Sequence, residues 1–256
     1  MGIRIFISQN ISHNVIDPVF RMQVETTSMD ESITIPHLND FVYNYVINYG
    51  DGSGDKTVNT YDNPNCTHVF TNVGTYDISI SGICETIFVN NDGTLKLQLK
   101  KILSWGNINL KVLNFYGCSN LNELCGNGQG LSKVVNFAST FYDCTSLTTI
   151  PTDLFRYNVN VSSYGFYQTF FGCNKLQLNQ WIFYADGEQS TRFLNKSVNF
   201  EGCFYKSTFN GTQGTAPDLW NCNFGTGTPV KTGCFGGGGN SATSLSNYVS
   251  ILAAWK

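Results

Sequence analysis

The chain has 256 residues and a net charge of −3, and 41% of its residues are apolar but only 13% are charged. The slight negative charge argues against nucleic acid as a partner, because nucleic-acid-binding surfaces need clustered Lys and Arg. No apolar run reaches the roughly 18 residues of a membrane-spanning helix, so we expect no membrane insertion. The many aromatic residues, glycines and amides favour strands and turns over helical bundles.

The sequence lacks the motifs of several kinds of catalytic, metal-binding and phosphate-binding site. No Gly-x-Ser-x-Gly elbow is present, and the three histidines and scattered acidic residues offer few acid–base candidates, so we expect no catalytic residues. Cys66, His68 and Cys84 are too few for structural zinc. The segment 51–55 begins like a calcium loop but lacks the closing Glu, and the glycine run at 236–239 lacks a following Lys-Ser/Thr. We therefore expect no metal and no cofactor.

The first segment, residues 1–18, is predicted to be an extended arm or a first strand. Ile3, Ile5 and Ile7 alternate with other residues, and the segment ends at Asp17-Pro18. It contains no recognisable secretory signal peptide, so we expect a protein that is used without secretion. The alternative is a surface protein whose leader is missing from this sequence.

Residues 19–90 contain short alternating segments separated by turn residues. The predicted strands lie at 20–24, 32–35, 41–49, 56–61, 66–70 and 75–81. The turns between them are rich in Gly, Asp, Asn and Pro, which favour tight reversals of the chain. This pattern predicts an all-β sandwich.

Two motifs in this segment resemble the polycystic-kidney-disease (PKD) domain family. Tyr45-Val-Ile-Asn-Tyr-Gly-Asp-Gly52 is similar to the family's aromatic and Gly-Asp-Gly turn, with Tyr49 in place of the usual Trp or Phe. His68-Val-Phe, followed by Val73-Gly-Thr-Tyr, is similar to its later strand pair. The resemblance implies an immunoglobulin-like sandwich that serves as a spacer or for binding, and not for catalysis.

Five cysteines recur in the second half of the chain at spacings of 26, 29, 30 and 31 residues. Most are preceded by Phe three residues earlier and followed by Leu three residues later. Recurrence at this period predicts stacked structural repeats whose shared residues point inward. The predicted repeat positions are Phe115, Cys118, Leu121, Phe141, Cys144, Leu147, Phe170, Cys173, Leu176, Phe200, Cys203 and Cys234.

Residues 91–256 resemble the BspA-type leucine-rich repeats of bacterial surface proteins. Their consensus, Phe-x-x-Cys-x-x-Leu-x-x-Ile-Pro-x-x-Leu-Phe, is matched best by residues 141–155. The resemblance implies a leucine-rich-repeat solenoid. We expect a strand at 95–99, then an extended segment and a short helical piece in each repeat, with helical pieces at 150–155, 180–183, 216–220 and 251–255. The last repeat is expected to act as a cap.

The cysteines are predicted to be mostly reduced and buried as small apolar side chains. Disulfides between stacked positions are the alternative, because such positions approach bonding distance. Four aromatic residues, Tyr157, Tyr164, Trp181 and Trp220, are candidates for a binding surface, and core packing is their alternative role.

The sequence thus predicts a protein that is mainly β with short helices, an N-terminal PKD-like β-sandwich plus a C-terminal leucine-rich-repeat solenoid. The combination of a PKD-like domain with BspA-type repeats also resembles what bacteriophage virion proteins carry. This resemblance implies a non-enzymatic role in a bacteriophage virion, as a capsid decoration or a tail/receptor-binding component. The alternatives are a bacterial cell-surface adhesin and, third, a hydrolase on a repeat scaffold. Expected partners are other virion or surface proteins, a host-surface protein or glycan, and further copies of the chain.

Overall fold

The computed structural model describes residues 17–178, 182–183, 193–207, 224–230 and 232–234. Residues 1–16 of the predicted arm at 1–18 and residues 180–181 of the predicted helical piece at 180–183 lie outside these residues. The predicted helical pieces at 216–220 and 251–255 lie wholly outside them. The described chain is mainly β, with a few short helical turns. None of the described helices has the length and apolar character needed to cross a membrane.

All six strands predicted between residues 19 and 90 are present, with bounds shifted by a few residues. They are β1 Phe20–Thr26, β2 Glu31–Thr34, β3 Tyr43–Asn48, β4 Asp55–Val58, β5 Thr67–Phe70 and β6 Gly74–Cys84. Their alternation puts every second side chain into the core, as Phe20, Met22 and Val24 show in β1. A 3₁₀ turn at Pro64–Cys66 leads into β5.

The first of the remaining elements lies before the predicted boundary at residue 91, and the others lie in the chain region that was predicted to form repeats. They are β7 Thr86–Phe88, α1 Leu95–Gln98, β8 Leu99–Trp105, β9 Val112–Asn114, β10 Glu123–Leu124 and a 3₁₀ turn at Gly128–Leu131. The largest sheet has the order β10-β8-β1-β6-β3-β4, while β2 pairs with β5 and β7 pairs with β9. Side chains from all three sheets share one buried core.

Strand β8 joins the two parts of the chain that the sequence had separated at residue 91. It runs antiparallel to β1, where Ile102 faces Met22, and parallel to β10, where Ile102 faces Leu124. The predicted strand at 95–99 is wrong, because Leu95–Gln98 form one helical turn that buries Leu95 and Gln98 at helical spacing. One hydrogen-bonded sheet therefore extends from the sandwich into the repeat region.

From β7 onward the chain forms coils that stack on one another through main-chain hydrogen bonds. The bonds between equivalent positions are Val89 N to Asn114 O (2.8 Å), Phe115 N to Thr140 O (2.6 Å), Phe141 N to Thr169 O (2.8 Å), Phe170 N to Cys203 O (2.7 Å) and Phe204 N to Cys234 O (2.7 Å). The first coil thus begins at β7, before residue 91. Each added coil satisfies the main-chain groups of the coil below it.

Within a coil, the Phe-x-x-Cys-x-x-Leu frame consists of two consecutive turns rather than a strand. The N–H of Cys144 donates to the carbonyl of Phe141, and the N–H of Leu147 donates to that of Cys144. Residues spaced by three therefore point to the same side, which is inward. The predicted helical piece at 150–155 is also wrong, because this segment forms turns.

Glu85, between β6 and β7, ties the sandwich to the coils. Its carboxylate accepts hydrogen bonds from Val42 N (3.1 Å) and Asn109 Nδ2 (2.8 Å), and it pairs with Lys111 Nζ at 2.7 Å. Val42 belongs to the sandwich, whereas Asn109 and Lys111 lead into β9. Burial raises the pKa of Glu85, but Lys111 and the hydrogen bonds outweigh burial and hold this pKa below its ordinary value.

His37 makes a second tie, between the loop before β3 and strand β7. Nδ1 lies 2.6 Å from the carbonyl oxygen of Thr86, so it must donate, and Nε2 accepts from the hydroxyl of Tyr45 at 2.6 Å. Burial lowers the pKa of His37 to about 4, against the opposing effect of the Thr86 carbonyl. The ring is therefore neutral at pH 7 and locked in one tautomer.

Replacing Glu85 by Gln is expected to lower the free energy of unfolding by about 2 kcal/mol at pH 7, because charge-assisted hydrogen bonds are lost from a buried site. Folding lowers the pKa of Glu85 from its ordinary value of 4.5. The stability advantage of wild type over Glu85→Gln should therefore be complete above pH 4.5. It should disappear as the pH falls through the pKa that Glu85 has in the folded protein. Urea unfolding of both proteins over this pH range measures it.

Glu25→Gln is the matched control, because the Glu25 carboxylate pairs with Lys100 at 2.6 Å but is 44% exposed. An exposed pair of this kind contributes less than about 1 kcal/mol. A stability difference between Glu85→Gln and wild type that stays constant at every pH would contradict the role given to the Glu85 charge.

Candidate binding surface

All twelve predicted repeat positions are fully buried, each with 0% of its surface exposed. The rings of Phe115 and Phe141 lie 6.0 Å apart, and those of Phe141 and Phe170 lie 5.1 Å apart and nearly parallel. These residues fill the interior of the stack. They position the outward residues of each coil but do not themselves reach a partner.

The fourth predicted frame needs a correction of register. Phe204, and not Phe200, stacks on Phe170, with ring centroids 5.7 Å apart. Phe200 stacks instead on Phe166, at 5.4 Å. The segment 200–203 has the residue pattern of the repeat frame. The main-chain hydrogen bonds between coils, however, show that it lies four residues before the equivalent position.

The recurrent cysteines consequently occupy two columns and not one. Cys118, Cys144 and Cys173 share the first column, which continues at Ser207. The second column consists of Thr140, Thr169, Cys203 and Cys234. In the first column two of the thiols donate to a carbonyl of the coil below, from Cys144 to Phe115 at 3.4 Å and from Cys173 to Phe141 at 3.0 Å.

The eight described cysteines are free thiols. Burial raises the pKa of Cys144 and Cys203 well above the ordinary value, and neighbouring thiols raise it further. A thiol that stays protonated at neutral pH is a poor nucleophile, so these side chains act in packing.

Two columns of left-handed residues turn the chain within each coil. One column contains Ser139, Gln168, Gly202 and Gly233, and the other contains Asn91, Gly117, Asp143, Gly172 and Lys206. Gly, Asn and Asp adopt this conformation at the lowest cost. In the second column side chains alternate with glycines, because a Cβ on Gly117 would overlap the amide of Asn91 and one on Gly172 would overlap the carboxylate of Asp143.

An aromatic ladder runs along the surface of the stack, and we define it as Tyr116, Tyr142, Phe171 and Tyr205. Each ring follows an inward Phe and precedes a left-handed residue, and each is half-buried. Successive ring centroids are 4.7, 4.7 and 4.6 Å apart. The last two pairs are nearly parallel, at 11°, so the rings face one another and present their edges to solvent.

The ladder tyrosines differ from those of the sandwich in their hydroxyl groups. In the sandwich the hydroxyls of Tyr43, Tyr45, Tyr49 and Tyr76 all hydrogen-bond to neighbouring groups. The three ladder hydroxyls make no hydrogen bond to any residue that the structure describes. They form a row of available donors and acceptors that is interrupted at Phe171.

The aromatic residues predicted to form a binding surface lie elsewhere. Tyr164 is 63% exposed, and Tyr157 is half-buried with the guanidinium of Arg156 over its ring at 5.8 Å. Trp181 and Trp220 lie outside the described residues. The sequence does contain a signal for the ladder, because an aromatic residue directly follows Phe115, Phe141, Phe170 and Phe204.

The loop that begins like a calcium site is closed by side chains. Asp51 accepts from His68 Nε2 at 2.6 Å and from Ser53 N at 3.0 Å, while His68 Nδ1 lies 2.8 Å from Lys56 Nζ. The hydrogen bonds from Ser53 and His68 outweigh burial and lower the pKa of Asp51 to about 2. Among the described residues no cluster of three His, Cys, Asp or Glu side chains suits a metal ion.

Comparison of the chain with protein families, with curated proteins and with solved structures finds no match.

The two-column arrangement predicts unequal effects of one substitution at two cysteines. Cys203→Thr places in the second column the residue that Thr140 and Thr169 already supply, so stability should change by less than about 0.5 kcal/mol. Cys173→Thr forces a branched, polar side chain into the first column and should cost about 2 kcal/mol. Urea unfolding measures both, and equal losses would contradict the two columns.

The alternation of side chains and glycines predicts a substitution that a second substitution rescues. Gly172→Ala should cost more than the about 1–2 kcal/mol of left-handed strain alone, because the new Cβ overlaps Asp143. Gly52→Ala is the matched control, since Gly52 has a φ of 85° and open space around it.

Adding Asp143→Gly to Gly172→Ala removes the overlap, so the double variant should lose no more than Gly52→Ala loses. Thermal unfolding of the four proteins measures this. A double variant less stable than Gly172→Ala alone would show that Asp143 does not cover Gly172.

Proposed function

We propose that this chain is a non-enzymatic structural or surface protein of a bacteriophage virion, a capsid decoration or a tail/receptor-binding component that mediates assembly or attachment. The observation that carries the proposal is the aromatic ladder. Four half-buried rings at a constant spacing on a rigid stack form a preorganised contact surface, and ordered aromatic rings are the residues that dominate binding interfaces.

The proposed fold is a PKD-like β-sandwich followed by a leucine-rich-repeat solenoid. Support comes from the Tyr49-to-Gly52 and His68 motifs, which meet through the Asp51–His68 contact at 2.6 Å. It comes also from the coils, whose inward Phe, Cys and Leu residues repeat along the stack. Folds of this kind present surfaces to partners.

The free thiols support assembly in the cytosol of the host rather than secretion. Eight cysteines are free in the described residues, and seven of them are buried. Reduced, unpaired cysteines at this number suit a reducing compartment, where virions assemble, better than an oxidising one.

The proposal is tested by locating the protein in a culture that expresses it from its native genome. Particles are purified on a density gradient, and the protein is quantified against the major capsid protein by mass spectrometry, with an abundant cytosolic host protein as the contamination control. We expect a fixed ratio to the capsid protein across independent preparations. Recovery only in the bacterial cell envelope would contradict the virion role and favour the adhesin.

A further inference from the structure

We propose that the aromatic ladder binds a linear, neutral glycan along the axis of the stack. This inference rests on the proposed attachment role and names the chemistry of its ligand. The ladder defines an evenly spaced track, because Tyr116, Tyr142, Phe171 and Tyr205 advance in three steps of 4.6 to 4.7 Å. A ligand that follows it must be extended and must repeat its own contacts from unit to unit.

The way the rings are presented selects an oxygen-rich ligand. Because Tyr142, Phe171 and Tyr205 stack face to face, their edges point outward. The edge of an aromatic ring is the positive part of its quadrupole and attracts oxygen lone pairs. The phenol groups of Tyr142 and Tyr205 add hydroxyl donors and acceptors to the same rim. Hydroxyl and ring oxygens of a sugar chain satisfy both kinds of contact.

The charge beside the ladder argues for a neutral ligand. Asp143 and Lys206 follow Tyr142 and Tyr205 in the chain, and they contribute one negative and one positive charge. Burial raises the pKa of Asp143. The positive charge of Lys206 opposes this shift, so the two charges interact electrostatically. The two charges that directly follow ladder rings in the chain are thus opposite in sign, and together they give no general attraction to an acidic or a basic polymer.

The ladder is also ordered before any ligand arrives. The rings of Tyr142 and Phe171 are each held between two neighbouring rings, and a tyrosine has only two side-chain torsions to fix. Binding therefore loses little conformational entropy, which favours a ligand that makes many weak contacts. A helical peptide would need apolar pockets at helical spacing, whereas the ladder offers polar edges at one uniform spacing.

The test is affinity electrophoresis of the full chain in native gels that contain dextran, hydroxyethyl cellulose or galactomannan, with acidic alginate as the charge control. An array of neutral oligosaccharides is probed in parallel. We expect at least one neutral glycan to bind. Tyr142→Ala and Tyr205→Ala should each weaken binding about tenfold, and Tyr142→Phe, which loses only the hydroxyl, about threefold.

Tyr164→Ala is the matched control, because Tyr164 is exposed but lies outside the ladder. It should bind like wild type, and the melting temperature of each variant is measured first to confirm folding. Binding to no neutral glycan, binding to alginate alone, or equal binding by wild type and correctly folded ladder variants would each overturn the inference.

The result separates this inference from the proposed function. A chain that is found on purified particles and binds no neutral glycan overturns the ligand and leaves the virion role in place. If the chain binds a glycan through Tyr142 and Tyr205 but is absent from purified particles, the virion role is overturned and the proposed ligand stands.

Discussion

The rest of the structure depends on main-chain hydrogen bonding that joins β1, β8 and β10 in one sheet. A stack of coils exposes unpaired main-chain groups at its ends, and such stacks need caps. Here the sandwich caps the first coil. In return β8 covers the edge of β1, which would otherwise present an open strand to other chains. Glu85 and His37 lock this junction with buried polar contacts.

The surface follows from the regularity of the interior. Hydrogen bonds between equivalent main-chain groups fix the rise of each coil, and the inward Phe rings stack with centroids 5.1 to 6.0 Å apart. A left-handed residue after each outward ring, such as Asp143 or Gly172, turns the chain back toward the core. The aromatic ladder is the exposed counterpart of this inner stack, and its spacing is set by the backbone rather than by the tyrosines.

The sequence was informative where structure is local and misleading where it depends on distant pairing. Strict alternation located the first six strands, because each has one buried face. The turn at 95–98 was missed because Leu95, Leu97 and Leu99 also alternate, and only pairing with β1 decides where the strand begins.

The fifth coil, which contains Phe204, shows why the repeat register could not be predicted from local sequence. Its equivalent Phe stands 34 residues after Phe170, and the segment 200–203 imitates the frame within that longer coil. For a related reason, the candidate surface could not be predicted from local sequence. Tyr116, Tyr142, Phe171 and Tyr205 become neighbours when the coils stack, although each follows an inward Phe in the sequence.

The most direct test of the shared-sheet junction is native-state hydrogen exchange in increasing urea. If the sandwich caps the coils through β8, the amides of β1, β8 and β9 will lose protection together, with one free energy of opening. Coil amides that stay protected after those of β1 have exchanged would contradict it.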